Sequence, residues 1–102
     1  MKIVLSPNPY RDRGLRAAQA AQRILEGAGA STAICLPFEV EQGGRLDLPP
    51  NVPLGSLGEE LADAGALVCF GGDGTILHAA HEANARGIPG LGINLGSVGF
   101  MA

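Results

Sequence analysis

The run ALVCF at residues 66–70 is apolar without alternation and passes directly into GGDGT at residues 71–75. A strand of that kind is covered on both faces, as in a parallel sheet with helices above and below it. An amphipathic helical stretch follows, then a second short strand and a second glycine-rich turn within GLGINLGSVGF at residues 90–100. In an open parallel sheet, turns that follow strands share the carboxyl edge, where such folds bind ligands. Function is therefore to be sought at residues 71–75 and 92–100.

The earlier chain supplies the rest of a layered α/β domain. KIVLS at residues 2–6 reads as strand one, stopped by Pro7-Asn8-Pro9. Residues 14–28 place Ala17, Ala21, Ile24 and Ala28 on one helical face, with Leu15, Ala18 and Leu25 alongside and Arg16, Gln19, Arg23 and Glu26 opposite. Gly27 and Gly29 close that helix. STAICL at residues 31–36 predicts a second strand, ended by Pro37. Residues 38–55, with Gly43-Gly44 and three prolines, have no sustained period and read as a long connection, either a plain mobile loop or a flap over the site. Ser56 and Glu59 have the spacing of a capping box before a short helix with Leu57, Leu61 and Ala64 on one face, terminated by Gly65. Strand and helix thus alternate along the chain, the order of an α/β domain with right-handed crossovers.

The chemistry centres on the first turn. A strand that enters a helix through GGDGT gathers backbone N–H groups and a helix N-terminus at one spot, which is an anion site. Gly71, Gly72 and Gly74 let the backbone approach a phosphate closely and adopt positive φ. Asp73 complicates this, because a carboxylate beside phosphates is repelled unless it binds a bridging metal or accepts a proton from a hydroxyl nucleophile. Both roles belong to phosphoryl transfer. The plainer alternative is that Asp73 caps the helix, a contribution of about 1 kcal/mol. Neither GxxxxGK[ST] nor GxGxxG occurs, since the third residue beyond Gly74 is Leu77. His78 and His81 share a helical face, with no carboxylate or cysteine at metal-ligand spacing, and read as surface or supporting histidines. Asn94, at a strand end, either holds its loop by hydrogen bonds or touches substrate. Phe100 is either core or ligand contact. Cys35 and Cys69 lie in apolar strand-like runs and read as buried free thiols, because no CxxC or His-rich spacing accompanies them.

GGDGT after a buried strand resembles the signature shared by NAD kinases and diacylglycerol-type lipid kinases, with a related version in phosphofructokinases. The second turn separates these families. A strand ending in Gly92-Ile93-Asn94, followed by Gly96-Ser97-Val98-Gly99-Phe100, looks like the GIN and GxxGF pattern of NAD kinases. The proline and GTGN-type sequence expected of lipid kinases is absent. The chain is thus similar to the amino-terminal domain of a bacterial NAD kinase, most strongly over residues 67–102. That resemblance implies a Rossmann-like fold, a mainly parallel sheet flanked by helices, as in the amino-terminal domains of phosphofructokinases and diacylglycerol kinases. It also implies transfer of the γ-phosphoryl group of ATP, or of polyphosphate, to the adenosine ribose 2′-hydroxyl of NAD, with Mg²⁺ or another divalent cation. Asp73 would orient or deprotonate that hydroxyl. Gly71, Gly72, Gly74 and Thr75 would approach the phosphates, and Leu77, Val98 and Phe100 would line the adenosine pocket. Ser97 stands at a variable position and Met101 where Leu is frequent.

The family also has a second, mostly β domain that contributes an Asn-Glu pair, and the sequence stops two residues after Phe100. The expectation is therefore a fragment, or a chain completed by another. On that expectation it forms an α/β half-enzyme with little activity alone that self-associates through apolar surface, the whole protein being a homo-oligomer. Two other classes stay open: a lipid or small-alcohol kinase of the same superfamily, and a non-catalytic nucleotide-binding module in which Asp73 only caps a helix. A net charge of −3 with 4% aromatic residues argues against nucleic acid. Short apolar stretches and a strand-like start argue against a membrane span or signal peptide and for a cytoplasmic protein.

Overall fold

The computed structural model describes residues 1–38 and 48–95. Within them the strands β1 (Lys2–Pro7), β2 (Ser31–Ile34), β3 (Ala66–Gly71) and β4 (Gly90–Asn94) form a wholly parallel sheet in the order β2-β1-β3-β4. Helix α1 (Arg16–Gly27) connects β1 to β2, α2 (Leu57–Leu61) precedes β3, and α3 (Asp73–Ala85) connects β3 to β4. From β1 the chain moves outward to β2, then returns past β1 to build β3 and β4. Strand order therefore reverses between β1 and β3, and in an open α/β sheet the crevice at that reversal is the ligand site.

Successive strand residues feed two cores, one on each face of the sheet. Val4, Leu67, Cys69 and Cys35 pack with Leu61 of α2 and with Ala79 and Ala83 of α3. Leu5, Ile34 and Phe70 pack with Leu15 and Ala18 at the start of α1. The expected covering of β3 on both faces is thus observed. β4, in contrast, is exposed along its whole length, with Leu91 61% accessible.

Several local expectations need correction. The first helix is not continuous from Gly14: a 3₁₀ turn, Arg13–Leu15, precedes it, with Gly14 at φ 68° and Leu15 at φ 54°. Ile24 is 72% exposed, and the face turned to the sheet carries Leu15 and Ala18 with Ala17, Ala21 and Leu25. Leu15 is fully buried and Leu25 partly so, while Ile24 faces solvent. α3 is not cleanly amphipathic, because it buries Ala79 and Ala83 yet leaves Leu77 59% exposed. Ser56 is the N-cap of α2 but makes no side-chain cap bond, so the capping box does not form. The acid of this turn with a partner is Glu60, which accepts from Lys2 Nζ at 2.6 Å, as Asp63 does at 2.7 Å. In the connection before α2, Leu48 and Val52 pack on the second core, and Gly55 bridges Cys35 beside β2. Of the segment 38–55, read as a mobile loop or a flap, residues 39–47 lie outside the described residues.

Both cysteines are buried and free, as their apolar setting predicts. Burial pushes the Cys35 thiol from its ordinary 9.0 up to about 11, with the Glu60 charge adding to the effect, and burial raises Cys69 too. A shift of that size lowers the thiolate fraction at Cys35 roughly a hundredfold. Iodoacetamide at pH 8 should therefore leave both thiols unlabelled in the native protein, with full labelling once urea unfolds it. Rapid native labelling of Cys35 would contradict the packing described.

Candidate functional site

The reversal between β1 and β3 brings together three strand ends. The Asn8 N–H donates to the Phe70 carbonyl at 2.7 Å, joining the β1 loop to the end of β3. The Leu95 N–H donates to the Gly71 carbonyl at 2.9 Å, joining the end of β4 to the same point. Asn8 Nδ2 donates to Thr75 Oγ1 at 3.0 Å, and its Oδ1 accepts from the Tyr10 N–H at 3.0 Å, so one side chain folds its own loop and ties it to α3.

Gly71, Gly72, Asp73, Gly74, Thr75 and Leu77 all fall at this junction, on the end of β3 and the opening turns of α3. The intrahelical ladder begins with the Ile76 N–H donating to the Gly72 carbonyl at 3.0 Å. The amides of Asp73, Gly74 and Thr75 stand ahead of that bond, at the positive end of the helix dipole. Positive φ is not what these glycines supply, since Gly72, the N-cap, is extended at φ −93° and ψ −177°. The positive-φ glycines among the described residues are Gly14, Gly29 and Gly87. Space is what they supply. A Cβ on Gly71 would lie 3.1 Å from both Asn8 Cβ and Thr75 Cβ, whereas one on Gly74 would meet nothing within 4 Å. Gly71 lets the loops close on each other, and Gly74 keeps the approach to the helix amides open.

Asp73 does not cap α3. It is the first helical residue, makes no side-chain cap bond, and its Oδ1 accepts from Asn94 Nδ2 at 2.8 Å. The parallel register pairs Gly71 with Asn94, which brings that amide from the end of β4 to the carboxylate. Asn94 therefore makes a hydrogen bond from the end of β4 to the start of α3. Asp73 is exposed at the start of α3.

Two residues of the β1 loop join the site without having been singled out from the sequence. Asn8 is the tie just described. The Arg11 guanidinium lies over the first turn, 3.7–3.9 Å from where a Gly72 Cβ would sit. A cation at a helix N-terminus faces the unfavourable end of the dipole unless an anion lies between them. The available signal was positional: the loop after strand one lies on the same carboxyl edge as GGDGT. Asp12, buried at 4% exposure, accepts from the Ala17 and Ala18 N–H groups at 2.9 and 3.0 Å and so anchors α1. It belongs to the fold.

Val98 and Phe100, expected in an adenosine pocket, lie outside the described residues, as does the rest of GxxGF. His78 and His81 are exposed on α3. Among the described residues no three His, Cys, Asp or Glu side chains group closely enough to hold a metal ion, and no helix is long and apolar enough to cross a membrane.

The profile of the ATP-NAD kinase N-terminal domain matches residues 54–102. Curated relatives align over nearly the whole chain. A NAD kinase of Cutibacterium acnes is 40% identical over 100 residues, covering 98% of this chain and 30% of that protein. One from Bacteroides fragilis is 37% identical over 103 residues, covering 100% of the chain and 35% of its own length. NAD kinase 2 of Streptomyces coelicolor is 41% identical over 90 residues, covering 88% and 26%. The chain thus spans about a third of the length of the curated relatives it matches.

Proposed function

We propose that this chain, whose residues 54–102 match the ATP-NAD kinase N-terminal domain and which is 40% identical to a NAD kinase over 100 residues, forms the phosphate-handling half of an ATP:NAD 2′-phosphotransferase. The observation that carries the proposal is the Asp73 carboxylate, relieved of helix capping and steered by Asn94 beside the open amides of α3. In this reading Asp73 Oδ2 accepts the proton of the ribose 2′-hydroxyl as the hydroxyl oxygen attacks the γ-phosphorus. The bond from that phosphorus to the bridging oxygen breaks, and ADP leaves. Gly71, Gly72, Gly74 and Thr75 let the donor phosphates reach the helix amides, while Arg11 neutralises charge on them. Leu77, with Val98 and Phe100, would face the adenosine of NAD.

A divalent cation such as Mg²⁺ would be held by the donor's own phosphate oxygens, since no metal-holding cluster occurs among the described residues and the Asp73 carboxylate is given to the proton. When bound it neutralises charge on the transferring group. The second, mostly β domain, the homo-oligomer, self-association and a cytoplasmic setting are parts of the same proposal, as is polyphosphate as an alternative donor.

Formation of NADP from NAD, ATP and Mg²⁺ by the whole protein that contains this chain tests the reading. A folded, nucleotide-binding protein that leaves NAD untouched but phosphorylates diacylglycerol would move it to the lipid-kinase class. Arg11→Ala should raise the KM for ATP and the inhibition constant of tripolyphosphate by a similar factor, about tenfold or more. That is the loss expected for a hydrogen bond to a charged group.

A further inference from the structure

Asn8 stands between Pro7 and Pro9, where the loop after β1 meets the start of α3. Proline fixes its own φ and restricts the residue before it, so the loop is stiff on both sides of Asn8. Every polar group of Asn8 is engaged. Its N–H donates to the Phe70 carbonyl at 2.7 Å, and its carbonyl accepts from the Arg11 and Asp12 N–H groups at 3.0 and 2.8 Å. Its side-chain Oδ1 accepts from the Tyr10 N–H at 3.0 Å. A backbone N–H can only donate, so this bond decides which end of the side-chain amide is the oxygen. The Nδ2 end is thereby turned to α3, where it donates to Thr75 Oγ1 at 3.0 Å.

A hydroxyl oxygen that accepts from an amide keeps its own proton for another acceptor. Among the described residues, Thr75 Oγ1 donates to none. The carbonyls of the preceding turn already accept, Gly71 from the Leu95 N–H and Gly72 from the Ile76 N–H. We infer that Asn8 is a positioning residue, which holds the Thr75 hydroxyl as a donor to a phosphate oxygen of the bound nucleotide. The inference rests on the proposed function, in which Thr75 lies beside the donor phosphates. A hydroxyl bonded to a phosphate anion makes one of the stronger kinds of hydrogen bond. Without the Asn8 amide that hydroxyl is free to turn its proton back to a carbonyl of its own helix, as helical threonines do.

The test uses the whole protein, with the Kd for ATP from calorimetry and the KM for ATP and for NAD from NADP formation. Thr75→Val should weaken ATP about tenfold or more, the loss of a hydrogen bond to a charged group. Asn8→Ala should weaken ATP by part of that factor, and by nothing further once Thr75→Val is present, because residues that act through one another are not additive. The KM for NAD should stay as in the wild type. Asn8→Asp is close to isosteric and still accepts from the Tyr10 N–H, which keeps the test open if Asn8→Ala folds poorly. Its second oxygen accepts where Nδ2 donated and so draws the Thr75 proton away from the ligand. ATP should then bind more weakly than in Asn8→Ala, the reverse of the order a purely structural role gives, and the loss should shrink when Thr75→Val is added. Additive losses in the double variants would overturn the inference, as would ATP binding in Asn8→Asp as tight as in the wild type. NADP formation absent from the wild type, with the coupling between Asn8 and Thr75 intact in the Kd for ATP, would instead defeat the proposed reaction and leave Asn8 its positioning role.

Discussion

Asp73→Asn is expected to lower the rate of NADP formation about 10²- to 10⁴-fold, the contribution of a positioned base, with the KM for NAD little changed. The substitution is close to isosteric, and the amide oxygen of an asparagine can still accept from Asn94 Nδ2, which now donates at 2.8 Å to Asp73 Oδ1. What disappears is the carboxylate charge and the ability to take a proton. The folded protein should barely register the change. An acid in the first turn of a helix contributes about 0.3–1 kcal/mol through the dipole, and no cap bond is lost with it. Steady-state kinetics beside a urea denaturation curve therefore separate the two functions a carboxylate can have at this position. A large kinetic loss at constant stability assigns Asp73 to the chemistry. Unchanged kinetics would show that Asp73 takes no part in the chemistry.

Gly92→Ala should destabilise the protein by about 1–3 kcal/mol, the usual cost of adding a methyl group to a packed contact. It should also slow NADP formation by up to about a hundredfold, the effect of displacing a reacting group by roughly an ångström. A Cβ at this position would strike Ile76 Cγ2 and lie 3.0 Å from Ile76 Cγ1 and 3.2 Å from Ile76 Cβ. Either β4 or α3 must then shift. Asn94 is two residues further along β4, and Asp73 is three residues before Ile76 on α3, so either movement disturbs their bond. The double variant with Ile76→Ala removes the obstruction and should recover a substantial part of both losses, since contacting residues couple by about 0.5–3 kcal/mol. Additive losses in the double variant would show that Gly92 matters for a reason other than this contact.

The strands were legible where apolar runs were uninterrupted. ALVCF and KIVLS each gave a strand within about a residue of its observed ends, and GGDGT marked the passage from β3 to α3, although only Gly72 lies between them and Asp73 already begins the helix. Sheet order was not legible, because local composition does not say which strands become neighbours. Without that order the β1 loop read as turn punctuation, and the approach of Asn8 and Arg11 to residues 71–75 stayed hidden. The Asp73–Asn94 bond depends on the register that sets Gly71 opposite Asn94, a long-range property absent from either motif by itself. The helix face of α1 was misjudged by one position because its alanines and leucines run in two adjacent rows, and only the shape of the sheet chooses between them. The capping box failed because side-chain spacing states what a serine can reach, and in α2 the Ser56 side chain makes no cap bond.

Gly71 and Gly92 are hemmed in by neighbouring side chains, whereas Gly74 faces open space. Natural selection meets these glycines on different terms. A side chain at 92 must displace Ile76, and one at 71 must make Asn8 and Thr75 give way, whatever the descendant phosphorylates. A side chain at 74 is harmless to the fold and is removed only while a ligand must be accommodated. A lineage that abandoned the reaction would thus let Asp73 and Gly74 drift first and keep Gly71 and Gly92 longest, leaving a scaffold that records its ancestry after its chemistry is gone.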